Sequence, residues 1–401
     1  MNAEIPLPCP SVLDGATGTW LRERGMPPEA CTEKWILEHP QVLLELQRDY
    51  VTAGSNILTA PTFGANPAAL SRWGLEEKTE EYNRRLVELT RQAAGKGVLV
   101  AGNLAPCGLG ETCVREGRFE SVVENYAVQA KALEEAGVDL YIIETMTHMA
   151  EARAAVLAVK EADPHTPVVV TFFCDREGRT PAGVDILAAL IVMQGMGVSA
   201  FGVNCVEPSV AAEQLERLAP YASIPLVAQP CGGGEGLERW AEQLASLGVR
   251  LFGGCCGTGP TEIAALKIAV DGLGLGSFVP REKDPDVIPC ASEREARFIT
   301  PDVDLSDPIS CTSDLVEDIV EAEENTPVGA IQIQILEEED VQIFAEHQYA
   351  VQDALCLWSD VPSLLEKALR VYQGRAFYDG TGELEPEDLI PLVKKYGLII
   401  L

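Results

Sequence analysis

From Ser11 to about Val270 one pattern repeats: a short apolar run rich in β-branched residues, a loop of Gly, Pro, Asn and Thr, then an amphipathic stretch rich in Ala, Leu and Glu. Short apolar runs bounded by turn residues are strands, and apolar positions recurring every 3.6 residues are helices. Strands are predicted at Ser11–Leu13, Asn56–Leu58, Val98–Ala101, Leu140–Ile143, Val168–Phe172, Ala200–Val203, Ile224–Ala228 and Val249–Phe252. Between them Pro40 opens a helix over Val42–Val51, Glu76–Ala94 carries a long helical stripe, and Gly137, Gly197 and Gly248 stand where glycine ends a helix. Strand then helix, eight times over roughly 260 residues, is the arithmetic of a (β/α)8 TIM barrel. An open doubly wound sheet shares the pattern, and the barrel is the preferred reading.

The periodicity lapses around the Asp- and Pro-rich Pro280–Pro289, then resumes. Strands are expected at Val328–Ile335, Ala354–Leu357, Ala376–Tyr378 and Leu398–Leu401, with helices at Asp314–Glu323, Glu338–Ala350, Pro362–Val371 and Pro386–Lys395. The expected organisation is a barrel over residues 1–275, a linker over 276–307 and a smaller α/β domain over 308–401.

Composition narrows the function. With 47% hydrophobic and 23% charged residues in 401, the chain can bury sizeable cores. No apolar run approaches the length of a membrane helix and Met1–Pro10 does not read as a secretory signal, so a cytoplasmic protein without a membrane partner is expected. A net charge of −32 repels phosphate backbones and argues against nucleic acid as a partner. The acidity is steepest in residues 271–401, with 28 acids against 9 bases, and reads as a solvated surface. Twelve cysteines without a secretory signal read as reduced thiols, some of them available to a metal.

The unusual residues fall after strand ends, the face on which (β/α)8 enzymes build their sites. The sixth strand runs into Gly202-Val203-Asn204-Cys205, and the eighth into Gly253-Gly254-Cys255-Cys256-Gly257-Thr258. Adjacent cysteines in a regular strand point to opposite faces, but the glycines let the chain leave the pleat so that both sulfurs converge. Three thiolates hold Zn2+ and leave its fourth position open, the layout of a catalytic zinc site to which a substrate thiol can bind. Cys231, in the glycine loop after the seventh strand, is a further possible ligand, although an isolated cysteine there is more often incidental. Cys107 and Cys113 are set aside because their spacing matches no zinc motif. The loop Asp14-Gly15-Ala16-Thr17-Gly18 offers backbone N–H groups to a carboxylate, although a tight βα connection also explains it. Glu144, directly after a run of apolar residues, suits an ammonium group, and His148 nearby is given a minor structural role.

Six motifs then occur in order: Asp14–Thr19, Thr59–Phe63, Gly102–Pro106, Glu144–Met146, Gly202–Cys205 and Gly253–Thr258. Together they resemble the homocysteine S-methyltransferase family over roughly residues 10–270. The resemblance implies a (β/α)8 barrel with zinc on Cys205, Cys255 and Cys256. It also implies that Glu144 receives the substrate ammonium, that Asp14–Gly18 receives its carboxylate, and that Asn204 is a further substrate contact. It implies methyl transfer to the thiol of homocysteine, giving methionine. Gly64 stands where the betaine-using branch has a tyrosine, which argues against betaine as donor, and Cys231 stands where relatives often carry an asparagine. Residues Ala354–Leu401 resemble a fragment of the pterin-binding barrel that follows the homocysteine module in the cobalamin-dependent branch, yet no Asp-x-His-x-x-Gly motif occurs. The resemblance therefore points to a methylcorrinoid delivered by a partner protein, with S-methylmethionine as the alternative donor. Transfer to or from another thiol or corrinoid, and a non-enzymatic scaffold, are the remaining readings.

Overall fold

The computed structural model describes residues 6–232, 236–325 and 329–401. Gly233 and Gly234 of the loop after the seventh strand, and Val328 of an expected strand, lie outside them. Eight parallel strands form one sheet: β1 (Ser11–Val12), β2 (Ile57–Thr59), β3 (Leu99–Leu104), β4 (Leu140–Met146), β5 (Val168–Phe172), β6 (Ala200–Asn204), β7 (Leu226–Gln229) and β8 (Val249–Phe252). Their order runs β1-β8-β7-β6-β5-β4-β3-β2, and a parallel bridge from Leu13 to Ile57 joins the two ends. That closure makes the sheet a barrel and removes the doubly wound alternative.

Each strand sends apolar residues inward. Leu13, Ile57, Ala101, Leu140, Ile142, Val169, Ala200, Val227 and Leu251 pack together at the axis, so the interior is filled and chemistry is confined to the rims. Among the described residues no helix is long and apolar enough to cross a membrane.

Where the sequence suggests a linker, a hairpin forms: β9 (Ile288–Ala291) pairs antiparallel with β10 (Ala296–Ile299). It is followed by β11 (Ile309–Ser310), β12 (Ala330–Gln334), β13 (Ala354–Trp358), β14 (Phe377–Tyr378) and β15 (Ile399–Ile400), parallel and adjacent in sequence order. Right-handed crossovers between sequential neighbours place the connecting helices on one face, as in a strip cut from a barrel. The hairpin covers the other face, with Cys290 and Ile299 packed on Ala330, Ala354, Cys356 and Phe377.

This second sheet is fastened to the barrel through helix Met149–Ala162, which follows β4. Arg153 is 1% exposed and donates to the carbonyls of Leu369 (3.0 Å) and Arg370 (3.3 Å) at the end of helix Pro362–Val371. Arg370 in turn bonds Glu120 and Glu161 at 2.6 Å each.

Candidate metal and substrate site

The sulfur atoms of Cys205, Cys255 and Cys256 lie within 4.8 Å of one another at the C-terminal rim. Cys205 follows β6 in the left-handed region, φ 60°, a conformation that costs a non-glycine residue of order 1–3 kcal/mol. Its N–H is held there by the carbonyl of Gln229 at 3.0 Å. The pair after β8 turns out of the pleat at Gly257, φ 78°, and the N–H of Cys255 is fixed by the carbonyl of Pro230 at 2.8 Å. Three loops are thus cross-tied by their backbones, and the sulfurs converge because the loops cannot separate.

Cys231 joins them. Its sulfur is 3.9 Å from that of Cys205, and the Cys205–Cys256 separation is 3.5 Å. Cys231 thus adjoins Cys205, beside the group of three sulfurs. Hydrogen bonds from Cys205, Cys231 and Cys255 push the Cys256 thiol down. Cys231 and Cys255, whose thiols bond to Cys205 and Cys256, are pushed up correspondingly. A cluster of soft, close-set sulfurs fits a thiophilic cation such as zinc.

A carboxyl neighbours the sulfurs, and a second neighbours the first. Glu144, in β4, accepts from Asn103 Nδ2 at 2.6 Å, while Asn103 Oδ1 is buried without a partner. Burial pushes the Glu144 carboxyl up, the Asn103 bond opposes this, and the Cys256 charge adds to the upward push. Asp14 is 3% exposed; its carboxylate accepts from the N–H and the hydroxyl of Thr59, both at 2.9 Å. Even so, burial raises it to about 7, helped by the charge of Glu144. Two carboxyls that burial and mutual repulsion hold above their ordinary range favour a cation between them.

Asn204 is fully buried and grips Thr145, accepting from its N–H at 3.0 Å and donating to its hydroxyl at 2.7 Å. Thr145 is the second non-glycine residue in the left-handed region, φ 58°, and it directly follows Glu144. Asn204 thus commits its side chain to the C-terminal end of β4, where the sequence reading has it touching substrate.

The Asp14–Gly18 loop departs further from expectation. The Ala16 N–H is already given to the carbonyl of Thr258 at 3.0 Å, and Tyr50 shares its hydroxyl proton between the carbonyls of Ala16 (2.8 Å) and Thr258 (3.0 Å). The Asp14 carboxyl and the Ala16 N–H are thus not available to a substrate carboxylate, which leaves Gly15, Thr17 and Gly18 of the expected set. Asn103 and Thr59 stand within the sequence motifs, yet sequence reasoning assigns them no role. Polar residues on the strand next to an acid at a strand end are the signal that could have found them.

A cleft of about 1220 Å3 opens elsewhere on the rim, lined by His148, Pro181, Arg294, Glu346, His347 and Tyr349 among others. It lies between the barrel and the second sheet and contains none of the clustered thiols, so the chemistry is placed by the sulfurs and carboxyls.

Comparison with known proteins agrees with this geometry. The sequence model described as homocysteine S-methyltransferase matches residues 11–270. The methionine synthase of Mycobacterium leprae is 29% identical over 67% of this chain, and the chain spans about a quarter of that protein's length, 25%. The S-methylmethionine–homocysteine S-methyltransferase of Pongo abelii is 29% identical over 59% of this chain and 71% of its own. The metallated crystal form of the Escherichia coli homocysteine methyltransferase superposes with a TM-score of 0.57 at 29% identity, over 64% of this chain and 95% of that one.

Proposed function

The chain belongs to the homocysteine S-methyltransferase family, and on that premise we propose that it transfers a methyl group to the thiol of homocysteine, forming methionine, at the sulfur cluster. The observation that carries this reading is the convergence of the Cys205, Cys255 and Cys256 sulfurs within 4.8 Å of one another on the rim where β4 presents Glu144. An acid for an amine and a cradle for a thiol are set at one rim, as an amino acid bearing a thiol requires.

Cys205, Cys255 and Cys256 are the proposed zinc ligands. Zinc, when bound there, would supply the charge that turns the substrate thiol into a nucleophilic thiolate at neutral pH. The chain's own residues do the rest. Glu144 and Asp14 receive the ammonium and exchange their mutual repulsion for attraction, while Asn103 holds Glu144 in place and offers Oδ1 as another acceptor. Asn204 keeps Thr145 in its strained conformation and so fixes where Glu144 ends. Gly15, Thr17 and Gly18 remain for the substrate carboxylate. No histidine is needed as a base.

For the donor we favour a methylcorrinoid carried by a partner protein. Cys256 is exposed, so the sulfur rim is open to a bulky donor. The relatives named methionine synthase, and the barrel-like second sheet as an incomplete pterin-type domain, support the same reading. The name of the Pongo abelii relative supports S-methylmethionine as the alternative. A cytoplasmic location suits twelve free cysteines. The test incubates zinc-loaded protein and homocysteine separately with S-methylmethionine, methylcobalamin and methyltetrahydrofolate, and measures methionine. Methionine from methylcobalamin is expected. Rapid formation from S-methylmethionine alone would replace the corrinoid donor, and no methionine from any donor would overturn the activity.

A further inference from the structure

We propose that the outer flank of helix Pro386–Tyr396 is an interface on which a second copy of this chain docks about a two-fold axis. This surface belongs to the second sheet and contains none of the residues assigned to the sulfur rim.

The helices of the second sheet stand in a row, Leu315–Asn325, Glu338–His347, Pro362–Val371 and Pro386–Tyr396, each packed on the next. The two ends of the row are built differently. Helix Leu315–Asn325 buries Leu315 and Ile319 and presents Glu317, Asp318, Glu321 and Glu324 to solvent around a lone Val320. Like charges at that density keep an edge solvated. Helix Pro386–Tyr396, at the other end, buries Leu389, Leu392 and Tyr396. Its inner flank is held by Glu366 of the neighbouring helix, which accepts from the Tyr396 hydroxyl at 3.1 Å and from Lys395 at 3.3 Å.

The outer flank of that helix is apolar and open. Ile390 is 50% exposed and Val393 36%, and Pro391 is exposed between them. The edge strand adds to the patch: Ile399 of β15 packs with the hairpin, so Ile400, 44% exposed, points to the face of the sheet that carries the helices. Grouped aliphatic side chains in water mark an association surface, whereas single ones do not.

Charge names the occupant. Glu387 and Lys394 bracket the apolar positions two helical turns apart, about 10 Å along the axis, and neither makes an ion pair among the described residues. When the helix meets its own copy antiparallel across a two-fold axis near Ile390 and Pro391, Glu387 of each chain comes level with Lys394 of the other, and the aliphatic side chains meet between these pairs. The flank is therefore self-complementary, as an isologous interface must be. A parallel pairing would set Glu387 on Glu387 and Lys394 on Lys394. A head-to-tail pairing onto helix Leu315–Asn325 would press Ile390 and Val393 against four acids.

The test is sedimentation equilibrium of the full chain over about 1–200 µM, at about 0.15 M salt, where the repulsion of two chains of net charge −32 is screened. Wild type is expected to pass from one chain to two across this range. Ile390→Asp should remain a single chain throughout, with its melting temperature and circular dichroism unchanged. Glu387→Lys and Lys394→Glu should each weaken self-association about tenfold, because like charges then meet twice, whereas an equimolar mixture of the two variants should associate as tightly as wild type, because every pair is again of opposite sign. Single chains at every concentration of wild type would overturn the proposal. A dimer that survives Ile390→Asp would overturn the place of the interface, and a mixture no tighter than its separate components would overturn the antiparallel pairing.

Discussion

Replacing Asp14 with asparagine measures the free energy held in the pocket before substrate binds. In the folded chain burial raises the Asp14 carboxyl from 3.8 to about 7, overriding two hydrogen bonds from Thr59. The folded state therefore holds this proton more tightly than the unfolded chain does. The stability so contributed is fully present below pH 3.8 and is lost as pH rises through about 7. A gap of about three pH units, at roughly 1.4 kcal/mol each, amounts to about 4 kcal/mol. In the Asp14→Asn protein the side chain does not titrate, its oxygen still accepts from the Thr59 N–H, and the Thr59 hydroxyl can turn to accept from the new amide. Between pH 4 and pH 8 the unfolding free energy of the variant should thus gain on that of wild type by about 4 kcal/mol. Urea denaturation of metal-free, reduced protein at several pH values measures it. The same substitution removes one of the two carboxyls proposed for the ammonium, so homocysteine should bind more weakly to the more stable protein, as expected where a site stores strain. Stability curves that run parallel across this range would refute the reasoning.

Glu144→Gln should weaken homocysteine binding roughly tenfold to a hundredfold, the worth of a charge-assisted hydrogen bond of ~1.5–3 kcal/mol, and calorimetric titration should show this with zinc content unchanged. Asn204→Ala removes two buried hydrogen bonds that hold a strained threonine; it should cost about 2–3 kcal/mol in denaturation and raise KM for homocysteine more than it lowers kcat. Metal analysis of Cys255→Ala and Cys256→Ala should show zinc falling from about one per chain to a small fraction, since each removes one of the three convergent sulfurs.

The barrel was legible because parallel strands buried on both faces read as unbroken β-branched runs, of which Val168–Phe172 is the clearest, with every residue buried. The hairpin at Ile288–Ile299 was not, because Pro289 and the surrounding acids look like solvent-exposed loop, and its burial comes from partners far along the chain. A signal did exist. Helix Ile186–Gly195 has no polar residue from Ile186 to Met193, and an element apolar all round needs cover on both sides. At the site the three cysteines and Glu144 were legible as chemically costly residues at strand ends. What escaped was backbone conformation: a threonine and a cysteine in the left-handed region run against local propensity, and only the bonds from Asn204 and Gln229 put them there. The place of Cys231 likewise depends on the carbonyl of Val206 and on the tie between Gly232 and Cys256, residues that spacing alone does not bring together.

The same logic bears on why the second sheet accompanies the barrel. Helix Met149–Ala162 is buried along its length from Met149 to Val159, including Glu151 and Arg153, because the barrel covers one side of it and the second sheet the other. Glu151 accepts from the N–H groups of Cys107, Gly108 and Gly110 and so anchors the loop after β3. Arg153 points the opposite way, to the helix end at Leu369 and Arg370. Two charged residues close together on one helix thus tie a rim loop and the second sheet to it. A buried guanidinium left without those carbonyls would be costly, so the barrel in this chain is completed by the second sheet. The end of β4, which carries Thr145, leads within three residues into this helix, so the segment bearing Glu144 is steadied from both ends: by Asn204 at the rim and by the second sheet behind.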